Sequence, residues 1–287
     1  SLEEPVIVHM ITEKGRGYKP AEKDIADRFH AVGPIHSETG LPVAPERFGW
    51  TSVFADEICA QAGWRDDIVG ITAAMMQPVG LGPMHEAYPG RVIDVGIAES
   101  EAMASAAGMA YEGAHPVVAL YATFLNRAFD QLLMDVALHR AGVTVVLDRA
   151  GITGTDGASH NGVWDIAMCS MIPGLRLAAP RDEDTLRAEL REALDVDDAP
   201  TVVRYRKGSL PEPMPALTSV GDVDVLSDEA GDGSSSRLLI VGTGACAPDA
   251  IAAARRLGAD GISVTVVDPR WLVPISADLA RMAAGYD

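Results

Sequence analysis

The chain has 287 residues, 48% of them hydrophobic and 22% charged, and a formal net charge of −18. That length allows about two domains with sizeable cores, and no apolar run approaches the roughly 18 residues of a membrane helix. The acidic balance weighs against nucleic-acid and acidic-membrane binding. The three cysteines (Cys59, Cys169 and Cys246) lack any ligand spacing, which points to a reducing cytoplasm and away from structural zinc.

The start, Ser1-Leu-Glu-Glu-Pro-Val-Ile-Val, has neither a basic region nor a cleavage site. With no initiator Met, the chain is expected to be a piece of something longer. Residues 1–48 offer one strand, Pro5-Val-Ile-Val-His-Met-Ile-Thr12, then the Gly/Lys/Arg loop 13–20 and a stretch of little periodicity. One strand cannot bury itself, so this segment reads as the tail of a larger domain.

Residues 49–210 alternate regularly. The expected elements are helix 51–63, strand 68–72, strand 91–97, a helix from 98, strand 116–122, helix 124–139 and strand 143–148. A polar loop (149–163), strand 175–179, helix 182–194 and strand 201–205 follow. Apolar strands alternating with helices predict an α/β fold with an open parallel sheet covered on both faces. Residues 211–235, rich in Pro, then Gly, Asp and Ser, read as a linker. Residues 236–287 supply one further βαβα fragment: a strand from 237, helix 247–257, strand 263–268 and helix 276–284.

Glu99 is the first candidate functional residue. It ends the run Arg91-Val-Ile-Asp-Val-Gly-Ile-Ala-Glu99, at a strand's C-terminal end, where open α/β sheets keep their chemistry. Position alone favours an acidic partner for the helix dipole. Two glycine motifs carry less. Gly231-Asp-Gly233 matches the start of a magnesium-diphosphate motif but has no Asn downstream, and it lies in the linker, so it reads as a turn. Gly242-Thr-Gly-Ala-Cys-Ala247, with Asp268 after the next strand, has loose dinucleotide-site spacing; close helix–strand packing is the favoured use of its glycines.

Several separated motifs resemble the 1-deoxy-D-xylulose-5-phosphate synthase family. They are Val95-Gly-Ile-Ala-Glu99, Tyr121-Ala-Thr-Phe-Leu-Asn-Arg127-Ala-Phe-Asp130-Gln131, Asp148-Arg149-Ala-Gly151 and Gly154-Thr-Asp156-Gly157-Ala-Ser-His160. The loop from Lys14 to Asp24, with Phe29-His30, and the tail Val266-Val-Asp-Pro-Arg-Trp-Leu-Val-Pro274 are similar too, in the same order. The resemblance implies a transketolase-like, thiamine-diphosphate enzyme of three α/β domains. Residues 1–48 would then end the diphosphate-binding domain, 49–210 would form the pyrimidine-binding domain, and 236–287 would begin the C-terminal domain. Mg2+ and its ligands would belong to the part before Ser1, and no metal ligand is expected here. The implied reaction joins pyruvate, with loss of CO2, to glyceraldehyde 3-phosphate in a cytoplasmic homodimer, feeding isoprenoid, thiamine and pyridoxal synthesis. The chain alone is expected to be inactive.

On that resemblance Glu99 matches the catalytic glutamate that hydrogen-bonds the cofactor's aminopyrimidine, and Phe124 the aromatic that stacks on it. Tyr18, Lys14 and His30 match further cofactor-binding positions, the last two near the diphosphate. Tyr121, Arg127, Arg149, Asp156, His160 and Lys207 match substrate positions. Guanidinium forks suit a phosphorylated aldehyde, and His160, expected with Glu99 to be catalytic, offers a tunable proton to relay or to hydrogen-bond the substrate carboxylate and hydroxyls. A surface ion pair with Asp130 is the plainer reading of Arg127. Two departures stand out. Ser100-Glu101 replaces the usual Gln-His, so Glu101 either adds charge beside Glu99 or points away along the helix; Arg206 stands where the family has Pro. A split transketolase, the β-subunit of a 2-oxo-acid dehydrogenase and a non-catalytic assembly or regulatory partner are the alternatives.

Overall fold

A computed structural model describes residues 4–24, 28–30, 32–43, 48–231 and 237–287. It divides into two units, residues 1–47 and 48–287.

The first unit has little regular structure. Helix α1 (Lys19–Lys23) carries Pro in its first turn, where the missing N–H costs nothing. Gly15 and Gly17 precede it at φ of +80° and +98°, and the Gly17 amide donates to Glu22 Oε1 at 2.9 Å. The strand expected over 5–12 does not form: these residues pair with nothing that makes a strand, and Ile7 and Ile11 are almost fully exposed. Apolar alternation makes a strand only where a neighbour supplies the hydrogen bonds.

The second unit opens with α2 (Trp50–Trp64), whose Trp50, Val53, Phe54, Ile58 and Ala62 form one buried face. Then come β1 (Ile68–Thr72), α3 (Gly82–Ala87), β2 (Val92–Asp94), α4 (Glu99–Tyr111), β3 (His115–Tyr121), α5 (Phe129–Gln131), β4 (Thr144–Asp148), α6 (Asp165–Cys169), β5 (Arg176–Ala178), α7 (Glu183–Leu194) and β6 (Thr201–Arg204). The six strands form one parallel sheet in the order β2-β1-β3-β4-β6-β5. Every residue of β3 and β4 is buried, as expected for a sheet covered on both faces.

Two predicted elements differ. Strand 91–97 stops at Asp94, whose Oδ1 accepts from the amides of Ala74 and Gly96 (2.7 and 3.0 Å) and turns the chain out of the sheet. Helix 124–139 is instead a 3-10 segment (Ala122–Ala128), the single turn α5 and a π-helical turn (Leu132–Ala137). Such irregular turns are frequent at functional sites.

Residues 211–235 are not simply a linker. They contain β7 (Thr218–Val220) and β8 (Val223–Glu229), which join β9 (Arg237–Val241) and β10 (Ser263–Pro269) in a second sheet, order β7-β8-β10-β9. Val223 and Val225 pack on one face and Leu226 on the other, so only three residues of the strand alternate. Helix α8 (Ala247–Ala259) covers the sheet through Ala247, Ala250 and Ala254, and α9 (Ala277–Ala283) follows. A Cβ on Gly242 would lie 2.5 Å from that of Ala250, so this glycine serves close helix–strand packing. Asp232 and Gly233 of the Gly-Asp-Gly motif lie outside the described residues. Beyond β10 the chain reaches the outer side of β5: Leu177 donates to Val273 O at 2.9 Å and accepts from the Leu272 amide at 2.7 Å.

Candidate functional site

In the six-stranded sheet the connections reverse between β1 and β3, which is where an open α/β sheet leaves a crevice at its strand C-termini. The predicted residues of the second unit all come from segments that follow strand ends: Glu99 after β2, Phe124 and Arg127 after β3, Arg149, Asp156 and His160 after β4, and Lys207 after β6; Tyr121 is the last residue of β3.

These eight side chains form one continuous series of contacts. Glu99, the first residue of α4, is only 4% exposed, and its Oε1 accepts from Arg127 Nη1 at 2.9 Å. The same guanidinium stands 4.7 Å from the centre of the Phe124 ring. Phe124 stacks on Tyr121 at 6.1 Å and 16°, and His160 presents its ring at a steep angle to both, 5.7 Å from Phe124 and 6.5 Å from Tyr121. Arg149 lies 4.1 Å from the centre of the Tyr121 ring and donates to Asp156 at 2.8 Å; Lys207 donates to the other Asp156 oxygen at 2.6 Å. Arg127 therefore pairs with Glu99 rather than making the surface pair with Asp130 read from spacing alone. Glu101 is exposed and accepts from Ser105 Oγ at 2.9 Å, so it points along α4. Arg206 is exposed.

The loop after β4 is held by its own bonds. Gly151 and Gly162 exchange backbone hydrogen bonds of 2.8 Å, Thr123 Oγ1 donates to Ser159 O at 3.0 Å, and the Thr153 amide donates to Asn161 Oδ1 at 3.0 Å. A Cβ on Gly162 would fall 2.5 Å from Ala122 Cβ, so only glycine lets this loop close on the segment carrying Phe124. Arg149 sits at φ +61°, an unfavourable conformation for a non-glycine residue of the kind that concentrates at ligand sites.

Electrostatics divide the cluster. The bond from Lys207 is the main cause holding the Asp156 carboxyl below its usual range; burial opposes it and Arg149 reinforces it. Burial pushes the Tyr121 hydroxyl up to about 12. Sequence reading placed Asp148 in a family motif but gave it no role; the last residue of β4, it is 3% exposed and accepts from Thr51 Oγ1 at 2.6 Å. Burial raises its carboxyl to about 6, against the lowering effect of the Thr51 bond. The available signal was an acid closing an otherwise apolar strand. Asp165, which grips Arg204 at 2.6 Å, was passed over.

Tyr18, Lys14 and His30 belong to the first unit. The Tyr18 hydroxyl donates to Ser37 O at 2.9 Å and its ring meets Phe29 edge-on at 5.8 Å; the Lys14 carbonyl accepts from Arg28 at 3.4 Å.

Residues 46–213 match the family described as transketolase, pyrimidine binding domain, and residues 232–286 match transketolase, C-terminal domain. The first match covers more than half of the chain, which therefore belongs to the transketolase family through its pyrimidine-binding domain. Among curated relatives, 1-deoxy-D-xylulose-5-phosphate synthase 2 of Streptomyces avermitilis is 60% identical over 279 residues, and 1-deoxy-D-xylulose-5-phosphate synthase of an Arthrobacter species is 61% identical over 284. These alignments cover 97% and 98% of this chain, which spans 43% of the length of each relative. A solved structure described as a split gene transketolase, inactive beta4 tetramer, has a TM-score of 0.69 at 24% identity, covering 84% of this chain and 77% of that one. Transketolase from Leishmania mexicana also gives 0.69, at 21% identity, over 86% of this chain and 38% of its own. These two likenesses are of fold.

Proposed function

We propose that this chain carries the pyrimidine-binding part of a thiamine-diphosphate-dependent transferase. The reaction joins the two-carbon unit of pyruvate, with loss of CO2, to glyceraldehyde 3-phosphate, giving 1-deoxy-D-xylulose 5-phosphate, an isoprenoid, thiamine and pyridoxal precursor. The observation that carries this reading is the contact series from Glu99 through Arg127, Phe124, Tyr121 and Arg149 to Asp156 and Lys207. The names of relatives about 60% identical across nearly all of this chain support it.

The residues fit the cofactor's pyrimidine end. Glu99 offers a buried hydrogen-bond acceptor and Phe124 a half-buried aromatic ring, and one side chain, Arg127, touches both. Bound thiamine diphosphate would supply the electron sink for decarboxylation and carbon–carbon bond formation. Glu99 and Phe124 would hold its pyrimidine end. In this reading Mg2+ accompanies the cofactor's diphosphate.

Each of the chain's own groups then has a task. Glu99 hydrogen-bonds the pyrimidine ring nitrogen and shares a proton with it, which requires Arg127 to share or leave Oε1. Arg149 and Lys207, aligned by Asp156, offer donors to the phosphate of the aldehyde. His160, against Tyr121 and Phe124, presents a ring nitrogen to substrate oxygens. No helix of the described residues is long and apolar enough to cross a membrane; we place the enzyme in the cytoplasm as a homodimer, with this chain inactive alone.

The test is Glu99→Gln in the complete enzyme. Turnover should fall at least about 100-fold, or roughly 3 kcal/mol of transition-state stabilisation, with far-UV circular dichroism unchanged. Retained turnover would remove Glu99 from catalysis.

A further inference from the structure

Between α7 and the second sheet lies a cavity of about 300 Å³ that shares no residue with the Glu99 cluster. That volume is at the small end of small-molecule sites. Glu189 of α7 and Asp268 of β10 line it, 2% and 3% exposed, and each has one carboxylate oxygen without a hydrogen-bond partner: Glu189 Oε2 and Asp268 Oδ1. Two arginines also line it: Arg181 is engaged, while Arg270 stands too far from either glutamate to donate a hydrogen bond. Arg181 donates to Asp268 Oδ2 at 3.0 Å and approaches Asp224 at 2.8 Å. Arg270 lies 3.5 Å from Glu192 and 3.9 Å from Glu189.

Carboxylates thus outnumber cations around a polar, half-open space, and two buried oxygens lack donors. Buried carboxylates are retained when a charge or hydrogen-bond donors compensate them. An anion would meet repulsion here. A metal ion lacks its ligands, since no three suitable side chains converge among the described residues. A primary ammonium supplies N–H donors for the two unpartnered oxygens and a charge that offsets the carboxylate excess.

We propose that this cavity binds a small organic cation through a primary ammonium group placed between Glu189 and Asp268. Such a ligand would join α7 of the large sheet to β10 of the small one. Burial raises the Asp268 carboxyl to about 6 and the Glu189 carboxyl well above its usual value. The charged groups acting on Glu189 are Asp268, Arg270, Arg181 and Glu192; those acting on Asp268 are Arg181, Asp224 and Arg270. A bound cation favours both ionised forms, so binding must release protons, and affinity must rise with pH.

Titration calorimetry of the full chain with putrescine tests this, at pH 6.5 and 8, in two buffers of different ionisation enthalpy and at sodium chloride matched in ionic strength. The expected result is 1:1 binding, proton release at pH 6.5 and higher affinity at pH 8 than at pH 6.5. Glu189→Gln should weaken binding at least about tenfold, whereas Glu192→Gln, which keeps both unpartnered oxygens, should change it less than about threefold. Absence of binding beyond the sodium chloride control, equal binding by Glu189→Gln, or binding without proton release would each overturn the proposal. Should Glu189→Gln not fold, the wild-type titrations at the two pH values decide. A proton shared by the two carboxyls with no affinity for putrescine would be the overturning result.

Discussion

Asp148 gives a direct measure of how closed the floor of the candidate site is. Its carboxyl is buried at the end of β4, and burial moves it from the ordinary 3.8 to about 6. In the unfolded chain it titrates near the ordinary value, so between about pH 4 and pH 6 the native state holds the proton more tightly. The stability from this group is therefore fully present below about pH 4 and is lost as pH rises through 6. At about 1.4 kcal/mol per pH unit, the full loss by pH 8 is about 3 kcal/mol, roughly half of it already incurred at pH 5. Asp148→Asn cannot ionise and keeps an oxygen to accept from Thr51. Relative to wild type it should gain about 1–2 kcal/mol between pH 5 and pH 8, or several degrees in Tm for a unit of this size. Urea unfolding of both proteins at pH 5, 6.5 and 8 reads the difference, in which groups far from Asp148 cancel. A difference that stays flat with pH would mean that Asp148 titrates as if in water, and the burial argument would be wrong.

Arg127→Met leaves Glu99 buried without its donor and should destabilise the 287-residue chain by about 1–2 kcal/mol, below the roughly 1.5–3 of a buried charge-assisted bond because Arg127 is half exposed. A double-mutant cycle with Glu99→Gln should recover about 1 kcal/mol of coupling by urea unfolding; independent effects would dissolve the pair. Gly162→Ala brings a methyl group to 2.5 Å from Ala122 Cβ and 2.9 Å from the Arg149 carbonyl, and should lower stability by about 1–3 kcal/mol in thermal unfolding. In the complete enzyme, Asp156→Ala frees Arg149 and Lys207 from their common anchor. KM for the phosphorylated aldehyde should rise about tenfold, or about 1.4 kcal/mol, with kcat nearly constant; an equal fall in kcat would move Asp156 to the reacting atoms.

Much of the large sheet was legible because its central strands are uninterrupted. Val143 to Leu147 and Pro116 to Tyr121 have no period to misread, and the sheet buries them on both sides. The small sheet was not, because only Val223 to Val225 of β8 alternate before Leu226 packs on the other face. The segment after β3 read as one helix from composition; its turns change type where it packs against α4 and the loop closed by Gly162, a tertiary effect. In the site, family motifs located eight side chains that pairwise spacing could not have joined, since Glu99, Arg149 and Lys207 are far apart in the chain. Asp148 was given no role because a strand-terminal acid looks like a turn residue until its burial is known.

The backbone bonds between Leu177 and residues 272–273 bear on solubility. A parallel sheet has two margins, and either can recruit a strand from another molecule. Here the β5 margin is already occupied by the chain's own return from β10, so it offers little to a neighbour. The other margin, β2, is three residues long and ends in Asp94, too short and too acidic to template much pairing. The segment after β10 thus also acts as a guard rail for the large sheet.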